Sequence, residues 1–584
     1  MKHIIRKQSF SIQTLILKIV IIWAIAAFVI YPNVNLMIGM FYKNGQFSNE
    51  VFSKVFSSAR AMKSLVNSFI LAFTLVVTVN IVGTLSVLLT EYWDIKGAKV
   101  LKLAYMSSLI YGGVVLVSGY KYVYGANGLL TKLLLMIVPG MNPNWFVGYG
   151  AVVFVMTFSC TQNHMMFLKN AIHGLDYHTI EAAKNMGASG SRIFFKIVMP
   201  VLKPTFFAIT ILTFLTGLGA MSAPLIVGGD AFQTINPMII TFAKSSYSRE
   251  VAAFLAILLG LATMLLLAVF SKIEKGGNYI SVSKTKAKLR KQKINNPVRR
   301  LLAHAVAYVM FVIYVIPIIL VIVYSFCDSL TIKTGNITMA SFTAANYQKL
   351  FTSADAVKPY LVSIVYSLLA AVAAAVIAVI CVRFVQAAKH KYDVFFEWGM
   401  LVPWLLPSTL IALGLTITYG ERHAILFHYV MVGTLVLMLV GYTVVKLPFS
   451  YRMIKAAFFS IDDDLEEAAK CMGASTFYTM VKVILPVIFP AIMSVIILNF
   501  NGMLSDYDLS VFLYHPLFQP LGIVIKAASD ESAAIDAKAM GFVYTVVLMI
   551  LSSVALYFGQ GNGMAAIRRF KQRRIQRKTI KELK

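Results

Sequence analysis

Residues 181–189 read Glu-Ala-Ala-Lys-Asn-Met-Gly-Ala-Ser, and residues 467–475 read Glu-Ala-Ala-Lys-Cys-Met-Gly-Ala-Ser. The offset is 286 residues, and Pro200 and Pro204 return at the same offset as Pro486 and Pro490. So close a copy of a polar segment, inside an otherwise apolar chain, marks two equivalent positions under one constraint. Asp176 and Asp462 are placed to cap a short helix by accepting its orphan backbone N–H groups. The pairs Ala182/Ala183 and Ala468/Ala469 favour helix and leave a smooth face. Gly187 and Gly473 stand where that helix ends and reverses, a position that favours positive φ. Ser189 and Ser475 then cap the next helix, which runs through Pro200 or Pro486. A helix that only anchors a loop to lipid is constrained in amphipathicity and not in residue identity. Two near-identical copies therefore predict two identical partners, or one partner read twice.

Working outward, the chain has 584 residues, 59% hydrophobic and only 13% charged, too apolar for an ordinary soluble protein. Apolar runs of about 20 residues, long enough to cross a bilayer as helices, recur along it. Spans are predicted near 15–40, 67–89, 100–123, 147–168, 205–227 and 251–271. A second set falls near 301–325, 360–385, 396–418, 426–448, 487–504 and 539–559. The expected fold is an all-α polytopic membrane protein of two homologous six-helix halves, about 12 transmembrane helices in total. The first half is 1–271, with its motif loop at 173–203. A basic linker, 272–300, closed by Pro297, leads to the second half, 301–560, with its motif loop at 459–489; a basic tail occupies 561–584. An even number of spans per half makes the repeat parallel, with a pseudo-twofold axis along the membrane normal and a pathway between the halves. Asn67-Ser68 and Ser363 occupy similar positions off the 286-residue offset, so the first half is expected to be slightly shorter in its early loops.

The net charge of +29 has a placement that explains it. Basic residues gather in Lys2/Arg6/Lys7, in the linker from Lys272 to Arg300, in the tail from Arg568 to Lys584, and in the turns at Lys96/Lys99 and Lys389/Lys391. All fall on one side, which predicts cytoplasmic termini and linker. Nucleic-acid binding lacks a supporting aromatic platform, and contact with membrane lipid headgroups accounts for the same residues. Cys160, Cys327, Cys381 and Cys471 are irregularly spaced and indicate neither a disulfide framework nor a metal site. The first apolar run is long and lacks a small-residue cleavage site, so it is expected to remain as an anchor.

Glu-Ala-Ala, three residues, Gly, nine residues, then Ile197-Val-Met-Pro200 or Val483-Ile-Leu-Pro486 resembles the EAA loop of permease subunits in bacterial binding-protein-dependent ABC importers. The resemblance covers essentially the whole chain. A permease with both halves fused is similar to the ferric-iron-type group, which also includes thiamine and phosphonate permeases. The resemblance implies a type I importer permease fold in the bacterial inner membrane. It also implies two copies of a cytoplasmic ABC ATPase and an extracytoplasmic solute-binding protein as partners. Glu181 and Glu467 would meet a basic residue of the ATPase, Ala182/Ala183 and Ala468/Ala469 would pack in its groove, and Gly187 and Gly473 would allow the turn. Met186 and Met472 stand where Leu is commoner. The chain has no Gly-x-x-x-x-Gly-Lys-Ser/Thr phosphate loop. No cofactor is expected on it, no metal site and no catalytic residue; ATP and Mg belong to the partner.

The halves agree around the motif, on the cytoplasmic side, and diverge toward the outer mouth, at the end of the fifth span. There the second half carries Asn499, Asn501, Asp506 and Asp508, with Ala220 and Ser222 opposite the two carboxylates. Acidic oxygens suit a hard cation such as ferric iron, while an Asp at a membrane edge is also often simply hydrated. His164 and Gln162, inside the fourth span, line a pathway or make a helix–helix hydrogen bond. Tyr105, Tyr111, Tyr120, Tyr122 and Tyr124 do not keep one face and read as packing and interfacial anchors. Ferric iron is the favoured cargo, with thiamine, phosphonate and polyamine as alternatives. A secondary transporter with a six-plus-six repeat is the competing class; it expects charged coupling residues within the spans and leaves the copied motif unexplained.

Overall fold

The computed structural model describes residues 12–43, 46–245, 247–275, 290–335, 337–387, 394–461, 463–530 and 532–559. The terminal basic clusters, linker residues 276–289, Lys389/Lys391 and Asp462 lie outside the described residues.

The first half runs through α1 (Leu15–Phe41), α2 (Ala59–Tyr92), the pair α3 (Ala98–Leu109) and α4 (Gly113–Ile137), and α5 (Tyr149–His173). The motif helix α6 (Tyr177–Asn185) follows, then α7 (Gly190–Leu218) and α8 (Arg249–Val269). The second half repeats the order. It has α9 (Pro297–Ser325), α10 (Ala354–Gln386), the pair α11 (Phe395–Leu405) and α12 (Ser408–Thr418), and α13 (Val436–Phe459). The second motif helix α14 (Asp463–Cys471) leads to α15 (Thr476–Leu504) and α16 (Ile535–Phe558). Nine of these helices are long and apolar enough to span a bilayer alone, and the two bent pairs add two more. Helix α13 is the repeat of α5 by the 286-residue offset and supplies the twelfth; Lys446, Arg452 and Lys455 make it less apolar.

Three expectations are corrected. The third span of each half is not one helix but two, bent by 118° in the first half and 105° in the second. Gly112-Gly113 breaks the first, with Gly113 at φ +54°, and Pro407 the second. The span expected at 426–448 begins at Val436. The fifth spans begin earlier than 205 and 487, at Gly190 and Thr476.

The two motif prolines leave the same imprint in both halves. A proline lacks an N–H and displaces the carbonyl one turn back, and the helix absorbs this as a π turn over Phe194–Val198 and Met480–Ile484. Equivalent polar contacts recur as well. Ser68 accepts the Ile235 N–H at 2.9 Å and Ser363 accepts the Leu521 N–H at 2.8 Å. The serines are 295 residues apart (363 − 68) and their donors 286 (521 − 235). The first half is therefore longer between its second span and its motif, and helix Leu129–Ile137 occupies that stretch.

Each half lends its first helix to the other. In α1, Ile21, Ile25, Ala27 and Val29 are buried in a core otherwise built from second-half residues. Ala307, Met310 and Tyr314 of α9 are buried with the first half. Apolar helices gain little from leaving lipid for one another, so close van der Waals approach and hydrogen bonds carry the association. Both swaps use the same device, a glycine facing a proline. A Cβ added at Gly119 would stand 3.4 Å from Pro317, and one at Gly414 would stand 3.3 Å from the Pro32 backbone. Tyr105 donates to the Ala307 carbonyl at 2.7 Å, and Tyr419 donates to that of Ala27.

Candidate functional site

The two motif loops close identically. Asp176 accepts the His178 N–H at 3.1 Å and caps α6. The helix ends with Ala188 N–H bonded to the Ala183 carbonyl at 3.0 Å and Gly187 N–H to that of Lys184 at 2.9 Å. In the second copy Ala474 bonds Ala469 at 3.0 Å and Gly473 bonds Lys470 at 2.9 Å. This crossed pair of bonds is a Schellman closure, which needs a left-handed residue at its turn; Gly187 has φ +80° and Gly473 φ +83°. Ser189 and Ser475 then accept the N–H groups of Arg192 and Tyr478, at 3.4 and 3.2 Å, and start α7 and α15. Pro200 and Pro486 sit in the first turn after the π segments.

This closure sorts the motif side chains. Glu181, Ala182 and Met186 are exposed, as are Glu467, Ala468 and Met472. The second alanine of each pair turns inward: Ala183 is 5% exposed and Ala469 3%. The outward face is thus Glu, one Ala and Met, the same in both copies. Met186 and Met472 are 80% and 82% exposed, so each loop holds out a flexible apolar knob.

Behind that face the loops are held by different chemistry. In the second half Arg383, near the end of α10, donates two bonds to Glu466 of α14, at 3.1 and 2.7 Å. Lys470 adds a contact at 3.1 Å. The Arg383 guanidinium, aided by Lys470, holds the Glu466 carboxyl down at about 2 despite partial burial. The residue at that place in the first half is Ile180, fully buried. There the support comes from the end of the linker. Gln292 N–H bonds the Tyr92 carbonyl at 2.8 Å, and Asp94 N–H bonds that of Gln292 at 3.0 Å. Lys291 donates to the Thr90 carbonyl at 2.7 Å, Lys184 of α6 donates to the Gln292 side chain, and Arg290 lies 5.6 Å from the Tyr177 ring. One layer deeper, Glu91 meets Lys102 at 2.6 Å and His173 at 2.9 Å, while Glu397 pairs with Lys455.

The polar residues at the end of α15 and just beyond it gather near where the halves meet. Asp508 interacts with Ser222, its own equivalent at the 286-residue offset, which puts the pair near the pseudo-twofold axis. Asp506 accepts the N–H groups of Leu509 and Ser510 at 3.2 and 3.1 Å. It also interacts with the Tyr442 hydroxyl and the Lys446 ammonium. Asn501 donates across the seam to the Leu109 carbonyl at 3.3 Å, and Asn499 donates to Ser450 at 2.7 Å. His164 stands apart from this group: it is fully buried and bonds Asn80 at 3.0 Å, with its ring against Gly83. That is the helix–helix contact of the two readings, and Gln162 lies beside it, half-buried. Among the described residues no group of His, Cys, Asp and Glu is arranged to hold a metal ion.

Sequence reasoning missed Lys446, Tyr442 and Ser222 as partners of the carboxylates. A signal existed: Lys446 falls opposite Cys160 at the 286-residue offset, a charge where the other half has none. It also missed Arg383, Glu466 and the linker residues.

The family described as binding-protein-dependent transport system inner membrane component matches residues 68–274 and 385–561. The chain is 32% identical over 543 residues to the "Probable ABC transporter permease protein y4fN" of Sinorhizobium fredii, covering 93% of this chain and 95% of that one. It is 21% identical over 542 residues to the ferric transport system permease protein FbpB of Actinobacillus pleuropneumoniae, covering 92% and 77%. A Salmonella choleraesuis permease protein, PhnV, named for 2-aminoethylphosphonate transport, is 25% identical over 275 residues, 45% of this chain and 98% of its own. With its family match in two parts and its doubled six-helix architecture, the chain belongs to the binding-protein-dependent inner membrane component family: it is the multi-pass membrane permease of an ABC importer, and not its ATPase.

Proposed function

We propose that the two motif loops are seats for two copies of one cytoplasmic ABC ATPase, and that their movement drives alternating access for ferric iron. The observation that carries this reading is the duplicated Schellman loop, with Glu181, Ala182 and Met186 matched outward by Glu467, Ala468 and Met472. A symmetric motor needs the same grip twice, and nothing in the packing of either half alone demands such identity. In this reading the motif ends, the linker and both termini face the cytoplasm of a bacterial cell, where ATP and Mg reside on the partner. A solute-binding protein delivers cargo at the opposite end. The contact between Asp508 and Ser222 near the pseudo-twofold axis then lies on the route and must part for cargo to pass.

The test of coupling is Gly187→Val and Gly473→Val. An added Cβ meets nothing within 4 Å at either place, so the damage is confined to the backbone, about 1–2 kcal/mol for a left-handed residue with a Cβ. Each variant should insert normally and lose ATP-driven transport; normal transport by either would overturn the assignment. Ferric iron is supported by the fused architecture shared with the ferric-named relative and by the paired carboxylates at the seam. A second reading, 2-aminoethylphosphonate, is favoured by PhnV and by the cationic Lys446 beside those carboxylates. ATP-dependent uptake of labelled ferric iron or labelled aminoethylphosphonate into vesicles holding the complete importer decides between them.

A further inference from the structure

We propose that the linker residues Arg290, Lys291 and Gln292 form a strap that positions the first motif helix for coupling, making the two ATPase seats mechanically unequal. The proposal rests on the reading of α6 and α14 as those seats. The strap grips α6 near both ends, since Arg290 lies over Tyr177 at its start and Gln292 accepts from Lys184 at its end. It is itself fixed to the second span. Gln292 pairs by backbone hydrogen bonds with Tyr92 and Asp94, at 2.8 and 3.0 Å, and Lys291 reaches the Thr90 carbonyl. Gln292 is 8% exposed, so its amide is committed to these contacts and not shared with water.

Lys184 and Lys470 occupy the same place in the two motifs but answer to different partners. Lys470 binds Glu466 within its own helix, at 3.1 Å, and Glu466 is tied to the second span by Arg383. Lys184 has Ile180 at that place and turns to the linker instead. Each motif helix is therefore fastened to the end of the second span of its half. In the second half the fastener is a side-chain ion pair; in the first it is a separate stretch of backbone. The strap leads directly into α9, which packs on the first half, so its hold requires no continuity with the chain upstream.

That last point separates a strap from a tether and supplies the experiment. Full-length chain with Gln292→Ala should show faster backbone amide exchange over 177–185, with 463–471 unchanged. In vesicles with the complete importer it should move less substrate per ATP, by on the order of threefold to tenfold, the range one lost hydrogen bond spans. Gln292→Glu keeps an acceptor for Lys184 and should restore both. Expression as two pieces divided between residues 276 and 289 should change neither. Unchanged exchange over 177–185 in Gln292→Ala would overturn the strap. Faster exchange with an unchanged transport ratio would leave a brace and overturn its role in coupling. Damage from the division equal to that from Gln292→Ala would make the linker a tether. Should the wild-type chain fail to couple ATP to transport, the reading of the loops fails while the exchange measurement still decides the strap.

Discussion

The two motif loops are alike where they face outward and unlike where they face inward. Outward, Glu181 and Glu467, Ala182 and Ala468, and Met186 and Met472 present one surface twice. Inward, a backbone strap with a buried isoleucine supports one loop and a guanidinium–carboxylate fork the other. A surface read by a partner must keep its residue identities. A support needs only to be stiff, and stiffness can be reached by different chemistry. The same contrast runs deeper: Glu91 of the second span meets Lys102 and His173 in one half, while Glu397 of the third span pairs with Lys455 in the other.

The sharpest way to break this comparison is to remove the fork. Arg383→Ala leaves Glu466 half-buried beside Lys470 alone and should cost about 3 kcal/mol, the scale of two charge-assisted hydrogen bonds. The loss should appear as faster amide exchange over 463–471 with 177–185 untouched. Exchange rising equally in both loops would mean that the supports are not independent.

Next in size are Gly119→Ala and Gly414→Ala, where the added carbon would stand 3.4 and 3.3 Å from a proline of the other half. Overpacking of this kind costs about 1–3 kcal/mol, and because the contacts are equivalent the two losses in thermal stability should match. A large loss at one and none at the other would show that the helix swaps are not equal.

The smallest effect expected is with pH. Glu466 is held at about 2, below its ordinary value of 4.5. Its contribution is therefore complete above pH 4.5 and is lost only as pH falls toward 2. Exchange over 463–471, corrected for intrinsic rate, should be flat from pH 8 to pH 5. A transition near pH 6 would mean that the fork is not formed.

Much of this was legible in the sequence, for physical reasons that can be named. The turn at Gly187 and Gly473 and the serine caps are local, so residue type alone specifies them. The spans are set by apolar length. The bends in the third spans escaped notice although Gly112-Gly113 and Pro407 were visible, because an apolar run hides a break that hydropathy does not measure. The exchange of α1 and α9 was out of reach, since nothing in an apolar helix says which of two similar grooves it fills. The strap was hidden for a different reason. It forms through backbone pairing of a polar segment, which has no periodicity to betray it. Among the seam residues, Asp506 and Asp508 stood out by charge, but their partners Ser222, Tyr442 and Lys446 come from other helices, and only the fold brings them together.

The swapped first helices also set a timetable for biosynthesis. Pro32 packs on Gly414, which is 382 residues later in the chain (414 − 32). At a synthesis rate of about 5–20 residues per second, α1 waits roughly 20–80 s in the membrane before its groove exists. Pro317, by contrast, emerges after Gly119, so the first-half side of its site already exists. Helix α1 is thus made well before its groove and docks only once the second-half residues that bury it have been synthesised.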